Sequence, residues 1–487
     1  MTADGSALQR PRIAYVTYST GQFDSRTERM ATSAVERGYT VVVYARWEPG
    51  LPLESMAAGY RIVRTPAITQ LAIPGFRGAG RRRLAAARRQ AAVAAAPPSS
   101  SEASFARTPV ATRHPSTPAR TAPPRRGVID RVPRRFRGTI LGAPLRWARA
   151  TLGRWGRRIV LFPLRPSGWA VALTEVAEPA DIWHGMWAPS LPALDRLRRL
   201  HGGRTVYDSR DLYVDARGMS GMGAPWRWLI GGLERRWARR CDAVLTVNDG
   251  YAAILADRFG IPTPAIVRNT PARYHRPTPP PNLLRDRLGL PAATPIVLYQ
   301  GGLMSERGIE QGMEAILQVP GAVLVLMGFG SGSEDIVRLA RTGRYAGRVA
   351  TIDPVPPAVL LDWTASSDVM LMAIQPTTLN HRYTTPNKLW EAIAAGVPVV
   401  ASDLPGMAPI VRETGCGELV DPTDPADIAR GIRAILELDA TDRAALRARC
   451  LAAGETYCWE RQSDTLFDLY GRLVEPAGRR VLPYARS

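Results

Sequence analysis

Lysine is almost missing from this sequence. Of its 64 basic residues 63 are arginine, and the exception is Lys388. The chain is rich in Ala, Arg, Gly and Pro, so the arginine count alone carries little meaning. Cysteine is also scarce. Cys241, Cys416, Cys450 and Cys458 are scattered with no CxxC spacing, which argues against a thiolate metal site or a disulfide framework and for reduced thiols in a cytoplasmic protein. No stretch reaches the ~18 uninterrupted apolar residues of a membrane span. The opening "MTADGSALQRPR" has no apolar signal core, so we expect no export. There is no D-x-D motif.

Acidic residues are nearly absent from one region. Between Arg77 and Arg165 there are 21 arginines against Glu102 and Asp130, a net +19 of the chain's +21. The remaining 398 residues carry only +2. A body that bound nucleic acid would need basic residues of its own, so no nucleic-acid partner is expected.

At 487 residues with 45% hydrophobic content, the chain can build two or three cored domains. "RIAYVTY", "TVVVYAR", "DIWHG", "RTVYDSR" and "DAVLTVN" alternate with helical stretches. After the proline-rich "RYHRPTPPPN" the alternation restarts with "PIVLYQGG", "AVLVLMGFG", "DVMLMAI" and "PVVASD". Short apolar runs between helices predict parallel sheets with crossover helices, here in two α/β domains. Ligands of such sheets bind at the carboxyl ends of the strands, and here also in the cleft between domains.

One stretch breaks the pattern. Residues 92–128 are rich in Ala, Pro, Ser and Thr, and poor in large apolar residues. They read as a disordered part of an insertion spanning about 66–165. Beyond it, Leu145, Ala148, Leu152, Trp155, Ile159 and Phe162 fall on one helical face, with Arg146, Arg154, Arg157 and Arg158 mostly opposite. Such a helix either packs on the domain or lies on an anionic membrane. Its lack of any acidic residue favours the membrane, and hence peripheral attachment to the inner face of the plasma membrane.

Lys388 lies in "TTPNKLWEAIAAGVPVVASD". Thr384 or Thr385 can cap a helix, Pro386 suits its first turn, and Gly396 stops it. Asn387, Lys388 and Glu391 then occupy the first turns, with Lys388 and Glu391 on one face. A helix N-terminus attracts phosphate, Lys388 adds a cation, and Glu391 offers two acceptors suited to a ribose diol. Phosphate and ribose together describe a nucleotide. The plain alternative is a solvated lysine at a helix start.

The segment "PNKLWEAIAAGVPVVASDLPGMAPIVRETGCGELVDPTDPADIARGI" resembles the donor-binding region of family 4 retaining glycosyltransferases of the bacterial envelope polysaccharide and glycolipid type. "VLYQGGLMSERGIEQGMEAI", "VLMGFGSGSEDIVRLA" and "TYCWERQSDTLFDLYGRL" are similar to other parts of the same family, as are "DIWHGMWAPSLPAL" and the stretch from Cys241 to Pro271. The resemblance implies the GT-B fold: two Rossmann-like domains with parallel sheets facing a cleft. Residues 1–270 would form the acceptor domain and 271–459 the donor domain, with a crossover helix in 460–487 packing back on the first. It further implies that Glu391, the second glutamate of an E-x7-E signature, holds the donor ribose. Tyr383 stands where the first glutamate belongs. Of two family cations for the diphosphate, one position is Gly302 and the other Arg307, so Lys388 is expected to make good the loss. An ammonium on a flexible stem fits a crowded turn better than a guanidinium fork. His184 matches the family histidine beside the reacting sugar, although a lone histidine can equally be structural. Gly21 would allow close backbone approach to a ligand, or be a plain turn glycine. Asp208 and Arg210 either face the cleft or form an internal ion pair.

The resulting expectation is a metal-independent enzyme with no bound cofactor. His184 and Glu391 would be catalytic, and Gly21, Arg307, Lys388, Asn387, Tyr383 and Glu391 would bind the donor. A nucleoside diphosphate sugar is the co-substrate, and a lipid-linked or other saccharide accepts the sugar. The alternatives are a GT-B epimerase or phosphorylase, or a non-catalytic membrane-bound partner.

Overall fold

The computed structural model describes residues 11–22, 24–95, 164–330 and 332–474. The alternation produces two sheets. The first has eight strands: β1 (Arg12–Thr17), β2 (Thr40–Arg46), β3 (Glu54–Ala57), β4 (Tyr60–Thr65), β5 (Ile182–Met186), β6 (Arg204–Ser209), β7 (Ala243–Thr246) and β8 (Ala265–Ile266), in the order β3-β4-β2-β1-β5-β6-β7-β8. Only β3 runs antiparallel. The second has six parallel strands: β9 (Ile296–Gly302), β10 (Val323–Phe329), β11 (Val349–Ile352), β12 (Val369–Met372), β13 (Val399–Ser402) and β14 (Gly417–Val420), in the order β11-β10-β9-β12-β13-β14. Helices cover both faces, so β1, β12 and β13 are buried almost throughout, as parallel strands require.

In each sheet the order reverses beside a central strand, at β1/β5 and at β9/β12. Crevices open at the carboxyl ends of strands at such points. The helix Trp459–Val474 returns to the first sheet. Its Trp459, Leu466, Phe467 and Tyr470 share a core with Ile13, Tyr15 and Met30, and the Trp459 indole donates to Ser33 Oγ at 2.8 Å.

The insertion is partly built into the first domain. A helix runs over Arg77–Ala95, reaching the stretch expected to be disordered. Leu84 anchors it against Leu71 and Ala172. Arg77, Arg81, Arg82, Arg83 and Arg89 face solvent, and the helix has no acidic residue. The rest of the disordered segment and the amphipathic stretch Leu145–Phe162 lie outside the described residues. No described helix is long and apolar enough to cross a membrane.

One buried acid stands apart in the first domain. Glu234, on the helix Ala224–Ala238, is 3% exposed and accepts from the Tyr207 hydroxyl at 2.7 Å. Its other oxygen has no partner among the described residues. Burial pushes its pKa from 4.5 up to about 7. The folded form thus holds this proton more tightly than the unfolded chain does. The stability it contributes is complete below about 4.5 and is lost as pH rises through about 7. Glu234→Gln is expected to flatten that slope, gaining about 2–3 kcal/mol on wild type between pH 4.5 and 8. Parallel pH profiles of denaturant unfolding for the two proteins would contradict this.

Candidate active site

The carboxyl ends of the two sheets enclose a cavity of about 520 Å³. From the second domain, β9 delivers Gln300 and Gly301 to its wall, the following loop delivers Arg307, and the helix Asn387–Ala394 delivers Asn387, Lys388 and Glu391. From the first domain come Arg26, Arg210 and Asp211. Four cationic side chains thus face two carboxylates.

The helix start differs from expectation in one respect. Pro386 occupies the cap position in an extended conformation, and neither threonine caps. Instead Thr385 Oγ1 accepts from Asn248 of the first domain at 3.2 Å. The first-turn amides are therefore left without a capping side chain, which suits an anion.

Lys388 is 8% exposed, and its ammonium has no hydrogen-bond partner among the described residues. It lies 3.4 Å from the centre of the Tyr299 ring. Gly301 lies beside it with a φ of +116°, and a Cβ there would come into ordinary contact with Lys388 Cε at 3.8 Å. Burial drives the lysine pKa well below 10.5, the Arg307 charge adds to this, and Glu391 opposes it. A buried cation without a hydrogen-bond acceptor costs free energy, and the cavity it faces is where an anion would relieve that cost.

Glu391 accepts a hydrogen bond from Gln300 Nε2 at 2.6 Å. The Thr364 hydroxyl lies 2.8 Å from Gln300 Oε1 and 2.9 Å from Leu360 O, and the Glu391 carboxylate, which can only accept, draws the amide NH2 toward itself. Burial raises the Glu391 pKa, while Gln300, Arg29 and Lys388 lower it. Asn387 bridges the domains by accepting from Asn269 at 3.0 Å.

Three expected site residues lie elsewhere. His184 is not at the end of its strand: β5 continues to Met186, and His184 is 0% exposed. Its Nδ1 lies 2.6 Å from the Tyr470 hydroxyl, and its Nε2 is 3.6 Å from Asp208. Burial lowers its pKa and favours the neutral ring. It reaches the cavity only through Asp208, which clamps Arg26 with bonds of 2.7 and 3.0 Å. Tyr383 turns away from the cavity. Asn380 inserts into the first domain, accepting from Leu212 N at 2.8 Å and from the Tyr251 hydroxyl at 2.7 Å. That insertion carries Tyr383 against Gly250, where a Cβ would meet the ring at 2.5 Å. Gly21 has a φ of +74°, and its open side faces Ala45 and Ile62 rather than the cavity.

Asp208 and Arg210 do not pair with each other. Asp208 takes Arg26, and Arg210 takes Asp24 at 2.7 Å. Arg26, Asp211, Gln300 and Asn380 were not singled out from sequence. Arg26 is hidden among 63 arginines, and the others depend on contacts between distant segments.

Residues 294–438, which carry Arg307, Asn387, Lys388 and Glu391, match the family described as glycosyl transferases group 1. They form a domain of that family, and the two-sheet architecture around it is the GT-B fold. A D-inositol 3-phosphate glycosyltransferase of Xylanimonas cellulosilytica is 32% identical over 197 residues, covering 39% of this chain and 46% of that protein. The chain spans about half the length of the curated relatives it matches. Among solved structures, the sucrose-phosphate synthase of Thermosynechococcus elongatus superposes with a TM-score of 0.62 at 17% identity, covering 95% of this chain and 99% of that one. The HepE protein of Anabaena in complex with UDP gives 0.57 at 15% identity, covering 95% and 100%. At these identities the structural likeness speaks for the fold.

Proposed function

We propose that this protein is a retaining glycosyltransferase that moves a sugar from a nucleoside diphosphate sugar to a lipid-linked acceptor at an anionic membrane surface, in envelope polysaccharide or glycolipid assembly. The observation that carries the reading is the trio in the cavity: the carboxylate of Glu391, the ammonium of Lys388, which has no hydrogen-bond acceptor among the described residues, and the guanidinium of Arg307. A ribose diol suits the first, and a diphosphate suits the other two. As the bond to the sugar breaks, negative charge gathers on the leaving diphosphate. Lys388 and Arg307, which line the cavity, and the uncapped amides of the Asn387–Ala394 helix would stabilise it. The retaining outcome is supported by the resemblance of the second-domain motifs to a retaining family. The membrane acceptor is supported by the exposed arginines of the helix Arg77–Ala95, each worth about 1 kcal/mol near an anionic surface.

One experiment tests these parts together. Labelled glucose, galactose, N-acetylglucosamine and mannose, as their UDP and GDP conjugates, are incubated with the protein and bacterial membrane vesicles. Label should enter the lipid phase, and both transfer and co-sedimentation should fall when phosphatidylcholine replaces the anionic lipids. Label recovered only as sugar phosphate in added phosphate would mean phosphorolysis. Label recovered in another sugar of the same nucleotide would mean epimerisation, and binding without turnover a non-catalytic partner.

A further inference from the structure

The cavity takes one carboxylate from each domain, Glu391 from the second and Asp211 from the first, and its cations include Lys388 and Arg307. Glu391 and Lys388 are one helical turn apart. A nucleoside diphosphate sugar carries a ribose on one side of its two phosphates and a pyranose on the other. A carboxylate repels phosphate, so Asp211 marks the part of the cavity where the ligand is uncharged and rich in hydroxyl groups.

We infer that Asp211 accepts a hydrogen bond from a hydroxyl of the sugar being transferred, and so helps to select which sugar is moved. The inference rests on the nucleotide-sugar reading above. Asp211 lines the cavity from the first domain, while its carboxylate is aimed by the second: Asn380 Nδ2 donates to Oδ1 at 3.2 Å. The Asn380 amide cannot reverse, because its oxygen is held by Leu212 N and the Tyr251 hydroxyl. No other side chain hydrogen-bonds the Asp211 carboxylate among the described residues, which leaves its second oxygen for a ligand. Burial raises the Asp211 pKa, against the pull of Asn380, Arg210 and Arg307, so a desolvated carboxylate stands to gain from a donating hydroxyl. The contact also explains how the site manages with Tyr383 turned aside: the acidic group arrives from the opposite domain.

The test compares binding of UDP, GDP and their hexose conjugates by calorimetry. Wild type should bind one conjugate more tightly than the corresponding free diphosphate. Asp211→Asn should lose most of that margin, on the order of tenfold or more, through weaker binding of the conjugate, while it still binds the free diphosphate at least as tightly as wild type, which also reports a folded site. A margin kept in Asp211→Asn overturns the inference, as does a wild type that gains nothing from the sugar. A wild type that binds neither diphosphate nor conjugate overturns instead the reading on which the inference rests. Should Asp211→Asn fail to bind free diphosphate, Asp211→Glu decides. It keeps the charge but displaces it by a methylene, and is expected to rank the hexoses differently; an unchanged ranking overturns the inference.

Discussion

Glu391→Ala is expected to weaken binding of a nucleoside diphosphate by about 2–4 kcal/mol, the worth of a pair of charge-assisted hydrogen bonds with the penalty for stranding their partner. The stranded partner is internal as well. Gln300 is 3% exposed, and its Nε2 loses its acceptor. Glu391→Gln separates the two effects. The glutamine carbonyl can still accept from Gln300 Nε2, so the packing survives. The glutamine then presents an NH2 where the ribose needs an acceptor. Binding should fall nearly as far as in the alanine variant, with a melting temperature close to wild type. A dideoxy nucleotide supplies the matching cut on the ligand: it should bind wild type poorly and lose little more in Glu391→Gln, since each change removes the same contact. Additive losses would place the ribose elsewhere.

How much of this could be read without coordinates differs between fold and site. Nine of the thirteen described parallel strands were legible, because burial on both faces makes them continuous apolar runs, while β4, β8, β11 and β14 were missed. β3 was missed as well, because Glu54–Ala57 has no buried residue, alternating exposed and half-buried positions, and reads like a loop. In the site, the helix around Lys388 was legible, since Pro386 and Gly396 bound it and a lone lysine among arginines marks it. His184 was misplaced because strand ends are set by pairing. The register Tyr15↔His184 and Thr17↔Met186 carries β5 two residues further and puts His184 in mid-strand, where it meets Tyr470, 286 residues away. Tyr383 was misplaced for a related reason. Its local sequence says nothing of Asn380 docking into the first domain, and that docking decides which way the tyrosine turns.

The same contrast between local and distant effects bears on why a lysine stands at 388. Its ammonium is buried with no hydrogen-bond partner among the described residues, which is unfavourable. Lys388→Met is therefore expected to raise the melting temperature of the free protein while weakening diphosphate binding by about 2–3 kcal/mol. An arginine should not rescue it. The Nζ lies against the Tyr299 ring, 3.4 Å from its centre, and the broader planar fork of an arginine is expected not to take that place. Lys388→Arg should thus lose affinity as well. The lowered pKa gives the role a signature that structure alone would not produce. A bound diphosphate restores the ammonium, so its pKa rises on binding and the complex takes up protons. Affinity is greatest below the free-protein pKa and falls as pH rises above it, in the range under 10.5 where that pKa has been driven. Calorimetry in buffers of different ionisation enthalpy should record proton uptake by wild type that Lys388→Met abolishes. If the methionine variant destabilises the free protein, or takes up as many protons as wild type on binding, Lys388 is a packing residue and the diphosphate is held by Arg307 without it.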